Sequence, residues 1–306
     1  MLINITSYIF NMILLNLGGG LGNQMFRYAA AWSLQQKTGE KLFVSFKGFE
    51  SGERECSLNN LNIPNMKICP ILLEKFIWKY MKIKYKLSKL DNSNTKDCEK
   101  LFKIGYCKTR IRKYIEINEK PMLKLMDGGF QSIRYFDENI NEIKKMFCVK
   151  NVFSQKNKEM VDSINKVNNS VCVHIRLGDY QIEKYKRFNV CMPDYYKNAM
   201  LKIEKMINNP VFFVFTENFD IVKKWELPGN VVFVDLQNED FEDLQLMYNC
   251  KNFIISNSTY SWWAQFLSSN DKKIVIAPNK WFLGEEDNPT ALYCKDWILM
   301  DAEGKN

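Results

Sequence analysis

Residues 170–180 read SVCVHIRLGDY and include the one histidine of a 306-residue chain. Val171, Cys172, Val173 and Ile175 form a near-continuous apolar run, the pattern of a strand covered on both faces, as in a parallel sheet. The run ends on His174, Arg176, Gly178 and Asp179, so its polar groups fall at the strand's carboxyl end. A guanidinium there can grip a diphosphate through two parallel N–H donors, and Asp179 can orient it or take part in chemistry. Taken alone, the same residues also fit a satisfied histidine beside an ordinary ion pair.

Working outward, strand and helix patterns alternate. PDYYKNAMLKIEKMI (193–207) has helical spacing with a proline near its start. PVFFVFTEN (210–218) reads as strand, FDIVKKWE (219–226) as helix and NVVFVDL (230–236) as strand. DFEDLQLMYNC (240–250) is helical, KNFIISNS (251–258) a strand, STYSWWAQFLSS (258–269) a helix, and KKIVIAPN (272–279) the last strand. Such alternation predicts a parallel sheet with helices on both faces, a Rossmann-like domain over 151–306. The chain opens similarly: strand MILLNL (12–17), glycine loop GGGLGN (18–23), helix QMFRYAAAWSLQQKTG (24–39), strand KLFVSF (41–46). A lysine-rich, mainly helical insertion fills about 70–120 of this first domain, 1–150. Two α/β domains in tandem are expected to face each other across a cleft at their strands' carboxyl ends.

At 46% hydrophobic, the chain can bury a sizeable core, and its +8 charge (43 Lys and Arg against 35 Asp and Glu) favours anionic partners. Nine cysteines without a CxxC pair, and a single histidine, argue against a zinc site and for a reduced, cytoplasmic protein. The opening MLINITSYIFNMILLNL lacks a basic start and falls short of a bilayer span, so it reads as neither leader nor anchor. Residues 1–11 are read as a dispensable extension.

GGGLGN can offer backbone N–H groups to an anion, but no Lys-Ser/Thr follows it, and Asn23 stands where a dinucleotide fingerprint needs its last glycine. An NAD-dependent oxidoreductase would also need an acidic residue just after KLFVSF, where Lys47 stands with Glu50 three residues on. A basic nucleic-acid-binding protein is the other alternative, although the lysines cluster away from any recognisable reading module. Ser258 and Thr259 can cap a helix or meet phosphate oxygens. Asp243 suits either a helix dipole or the N–H edge of a guanine. Lys75, Lys79, Lys82, Lys86 and Lys89 recur at three- and four-residue spacing, as a solvated face or as a peripheral contact with an anionic membrane.

Four blocks in order, GGGLGNQMFRYA (18–29), HIRLGDY (174–180), LMYNCKNFIISNSTYSWW (246–263) and APNKWF (277–282), resemble the bacterial α-1,2-fucosyltransferases, a glycosyltransferase family 11-like group that uses GDP-fucose. The resemblance implies a GT-B fold and inverting transfer of fucose to the 2-hydroxyl of a terminal β-galactoside. It also implies no metal or other cofactor, no nucleic-acid partner, and a galactose-terminated glycan of an O-antigen or capsule as acceptor. Carried onto this chain, it gives Arg176 the β-phosphate, His174 a share in holding the nucleotide, and Asp243 the guanine. Ser256, Asn257, Ser258, Thr259 and Tyr260 line the donor, which Gly20, Gly22 and Asn23 face. Asp127, Phe130 and Gln131 are placed on the acceptor side. Arg176, His174 and Asp179 are the catalytic candidates, and the general base stays open among Asp179, Glu217, Asp127 and His174. Two blocks depart from the family: Thr216-Glu217-Asn218 replaces Ser-Asp-Asp, and GGFQSIRYF (128–136) replaces GYFQSEKYF, with Gly129, Ile133 and Arg134 as the differences. Apart from the resemblance, the cysteine usage makes the expected location cytoplasmic, with a peripheral place at the inner face of the membrane if the lysine face is a lipid contact.

Overall fold

The computed structural model describes residues 11–109, 113–150, 154–178, 183–284 and 290–304. Two compact units are present: Met1–Phe147 with Pro289–Leu292, and Cys148–Asn288 with Tyr293–Asn306.

In the first unit the elements run β1 (Met12–Gly18), α1 (Leu21–Thr38), β2 (Lys41–Gly48), α2 (Ile71–Ser88), α3 (Thr95–Lys103), β3 (Tyr106–Lys108), β4 (Leu123–Asp127) and α4 (Ile140–Met146). The sheet order is β2-β1-β4-β3, with every pairing parallel. Strand β1 is buried along its whole length, as an apolar run between two parallel neighbours must be. The chain steps from β1 to β2 on one side, crosses to β3 at the far edge and steps back inward to β4, so β1 and β4 lie side by side at the centre of the sheet with their carboxyl ends together. Below the sheet, Ile77, Trp78 and Met81 of α2 pack with Met12, Leu14 and Leu125.

The second unit continues with α5 (Gln155–Lys166), β5 (Ser170–Ile175), α6 (Pro193–Met206), β6 (Val211–Thr216), α7 (Phe219–Val222), β7 (Asn230–Phe233), α8 (Asp240–Met247), β8 (Asn252–Ile254), α9 (Thr259–Leu267), β9 (Val275–Pro278) and β10 (Ile298–Met300). Its sheet, also parallel throughout, has the order β10-β9-β8-β5-β6-β7. Here the winding reverses between β5 and β8. Val171, Val173 and Ile175 meet Tyr195, Ala199 and Ile203 of α6 in the core.

Three details differ from the sequence reading. KKIVIAPN is not the last strand, because β10 adds an edge beside β9. The insertion also carries β3 as the far edge of the first sheet. The helix expected over 219–226 is a single turn, followed by a 3₁₀ turn and by Glu226 at φ 50. Pro228 disfavours helix in the residue before it, and Trp225 stacks on Tyr196 at 6.0 Å instead of extending the helix. No disulfide joins any of the nine cysteines. No helix among the described residues is long and apolar enough to cross a membrane.

Candidate functional site

At the switch point of the second unit, β5 supplies His174 from its carboxyl end and Arg176 immediately beyond it. Strand β8 runs into Ser256, and His174 Nδ1 lies 3.0 Å from Ser256 Oγ, so one polar contact bridges the diverging strands. Ser261 Oγ backs Ser256 at 3.5 Å. The His174 ring also rests against Tyr260, centroids 5.4 Å apart. Burial, then the neighbouring Arg176 charge, push the imidazole down to about 3. A ring that stays neutral at ordinary pH suits a fixed hydrogen-bonding role better than proton transfer.

Arg176 forms an ion pair with Glu217, just past β6. The adjacent Asn218 accepts at Oδ1 from the Gly178 N–H at 2.9 Å, which ties the loop after β5 to the loop after β6. Gly178 has φ +21, and a Cβ there would come within 2.9 Å of Glu217 Oε1. Glu217 and Asn218 thus set the position of Arg176. In the sequence Asn218 stands out only as a departure from a family pattern and Glu217 also as a general-base candidate; the structure pairs Glu217 with Arg176 instead, and the signal for both is their place at the end of the neighbouring strand. Asp179 lies outside the described residues.

Asp243 stands in the first half of α8; burial chiefly, and then the Asp243 charge, push the Tyr260 hydroxyl well up. Its own carboxyl is pushed up to about 6, chiefly by burial, against a hydrogen bond from Asn238 Nδ2 at 3.0 Å. The same amide donates to Asn157 Oδ1 at 2.9 Å, while Asn238 Oδ1 is buried without a partner. A half-buried carboxylate beside an unsatisfied amide oxygen is a receptor edge for N–H donors.

The remaining donor-side residues divide. Tyr260 donates its hydroxyl to the Asp240 carbonyl and joins α9 to α8. Thr259 opens α9, where helix N–H groups point outward. Ser258 is its N-cap, its hydroxyl accepting from Tyr260 N at 3.3 Å. Asn257 turns its amide to the carbonyls of Phe188 and Trp281, at 2.8 and 2.9 Å, and so fastens loops instead of joining the His174 group.

The first unit gathers a second group at the carboxyl ends of β1 and β4. Asn16 Nδ2 of β1 donates to Asp127 Oδ1 of β4 at 2.8 Å, and Lys108 Nζ reaches Asp127 Oδ2 at 2.8 Å. Asn16 Oδ1 accepts from Gly48 N, so a single amide spans β2, β1 and β4. The strands approach so closely that a Cβ on Gly48 would meet Leu17 O at 2.1 Å. Gly20 is the N-cap of α1, with no side-chain cap and no acid in the first turn, and Gly22 is buried in that turn. Asn23 Oδ1 accepts from Gln131 Nε2 at 2.8 Å, which brings a donor-side and an acceptor-side expectation into direct contact. Phe130 is buried at φ 49, a backbone a bulky residue rarely adopts, and its ring packs edge-on against Tyr135. Gln24, which lies in the GGGLGNQMFRYA block but received no role from the sequence, bonds Gly19 O and Glu55 O and shapes the glycine loop.

A model of glycosyl transferase family 11 matches residues 5–301 of the chain. The chain belongs to glycosyltransferase family 11. An alpha-1,2-colitosyltransferase of Escherichia coli is 30% identical over 95% of this chain and 99% of its own length. The O-antigen biosynthesis glycosyltransferase WbnK of Escherichia coli is 29% identical over 93% and 99%. The mouse galactoside alpha-(1,2)-fucosyltransferase 1 is 25% identical over 60% of this chain and 52% of its own. Membership makes the protein a glycosyltransferase of fucosyl type, and neither the oxidoreductase nor the nucleic-acid reading is favoured.

Proposed function

We propose that this family 11 protein transfers L-fucose from GDP-fucose, with inversion, to the 2-hydroxyl of a terminal β-galactoside. The observation that carries the reading is the group at the β5–β8 switch point. A neutral imidazole bridges to Ser256, a guanidinium is positioned by Glu217, and a carboxylate and an amide oxygen face the same neighbourhood. Arg176 would hold the diphosphate and Asp243 would accept from guanine N1–H and its amine. As the sugar–phosphate bond breaks, negative charge grows on the departing phosphate and a fixed guanidinium stabilises that growth. Asp127, Phe130 and Gln131 are assigned to the acceptor, and Asn23, bonded to Gln131, to the donor. Both oxygens of Asp127 already accept hydrogen bonds. The relation to WbnK supports an O-antigen-type glycan.

A second donor is favoured by one observation, the 30% identity to a colitosyltransferase. Purified protein offered GDP-fucose and nucleotide-activated colitose with a panel of galactosides, followed by linkage analysis, tests both readings. An α-1,2-fucosylated galactoside is expected. Exclusive use of the activated colitose would change the donor, and failure with both would end the proposal.

A further inference from the structure

Helix α2 has three sectors, not two. At about 100° per residue, Ile77, Trp78 and Met81 form the inward sector and are buried. Lys75, Lys79, Lys82 and Lys86 share an outward strip, all exposed. Beside that strip runs an apolar one in open solvent: Leu72 is 83% exposed, Phe76 51%, Ile83 50% and Leu87 75%. Tyr80 belongs to it as well, stacked on Phe76 with centroids 6.2 Å apart. Lys84, on the other flank, is taken up by the Ile104 carbonyl at 3.0 Å. Glu74 is the one acid of the helix and lies towards the inward sector, so nothing on the outer strips offsets the lysines.

We infer that this face of α2 lies in the plane of an anionic lipid bilayer surface. The apolar strip would enter the headgroup boundary and the lysine strip would meet lipid phosphates. Leu72 to Leu87 spans roughly 22 Å at 1.5 Å per residue. That is a long shallow line with a basic border, the shape of an interfacial helix and not of a pocket for one anchor side chain. Apolar side chains exposed in such a row gain from burial, and the flanking charge selects the surface that buries them. A second copy of the chain fits less well, because a self-complementary contact would set lysine strips near one another with no acid on the outer face to answer them. The lipid contact stands apart from donor and acceptor binding, since no residue of the two polar groups lies on α2.

Sedimentation with phosphatidylcholine vesicles, with and without phosphatidylglycerol, tests it at low salt. Binding is expected only with the anionic lipid, weakening as salt rises. Each Lys→Gln change at 75, 79, 82 and 86 is expected to weaken it about fivefold, the size of one basic residue's attraction to such a surface. Phe76→Ser with Ile83→Ser keeps every charge and should also abolish binding, with thermal melting confirming that the variant is folded. A Phe76→Trp reporter should shift its emission to the blue on anionic vesicles. Wild-type protein that ignores anionic vesicles at low salt would overturn the inference, as would binding with no shift of the reporter. A dimer seen by light scattering and dissolved by the double serine variant would assign the face to self-association.

Discussion

Arg176 leaves β5 with its guanidinium already directed by Glu217, so its geometry is set before any anion arrives. Lysine would keep the charge but lose the planar fork that meets two phosphate oxygens at once. Charge-assisted hydrogen bonds of this kind contribute about 1.5–3 kcal/mol each. Arg176→Lys should therefore weaken GDP binding about ten- to hundredfold in calorimetry, with little change in melting temperature; unaltered affinity would reduce Arg176 to a structural ion pair. Asp243 makes the opposite trade. Its carboxyl is raised from 3.8 to about 6, mainly by burial. The folded state therefore holds the proton more tightly than the unfolded one, and stability falls as pH rises from about 4 through 6. Asp243→Asn removes that cost and should stabilise the protein at neutral pH by up to about 3 kcal/mol, because each tenfold change in proton affinity corresponds to about 1.4 kcal/mol. The same change should weaken GDP more than IDP, because the amide sets a donor against the guanine amine. Wild-type GDP affinity should decline as pH drops through about 6 and the variant's should not. Equal losses for the two nucleotides would withdraw the guanine-reading role.

At the scale of elements, α9 shows how one residue can satisfy two readings. Ser258 is open in the sequence to capping or phosphate binding, and in the fold its hydroxyl caps. Loss of such a cap costs typically about 1 kcal/mol. Ser258→Ala should therefore lower the melting temperature slightly and leave GDP affinity within about twofold, given that the outward N–H groups of the first turn remain. A tenfold loss of GDP affinity without destabilisation would return the hydroxyl to the ligand. What is legible in the sequence follows the same logic. Strands β1, β5 and β6 can be recognised because their runs are long, apolar and bounded by helices. Strands β3 and β10 are three residues each, and their identity comes from the neighbour they pair with. Arg176 and His174 can be read because they end an apolar strand. Glu217 cannot be assigned to Arg176 until the β5–β6 pairing brings the two strand ends together. Asn16, Gln24 and Asn238 escape a sequence reading because their roles depend on hydrogen bonds formed only in the fold.

For the molecule as a whole, both sheets are parallel and each carries its polar groups at the carboxyl ends of adjacent central strands. Under the proposed reaction, the charge balance of 43 basic against 35 acidic side chains would raise the local concentration of a dianionic donor and predicts a donor KM that climbs with salt. On the proposed reaction, the departing nucleoside diphosphate would meet Arg176 and the start of α9. Fixed donors of this kind can carry the developing charge in a water-poor site, where each acts more strongly than in bulk solvent. Turnover should accordingly persist in excess EDTA, measured as release of GDP together with labelled product. If chelator abolishes transfer and Mn²⁺ or Mg²⁺ restores it, the charge of the leaving group is met by an ion, and the role given to Arg176 shrinks to orienting the diphosphate.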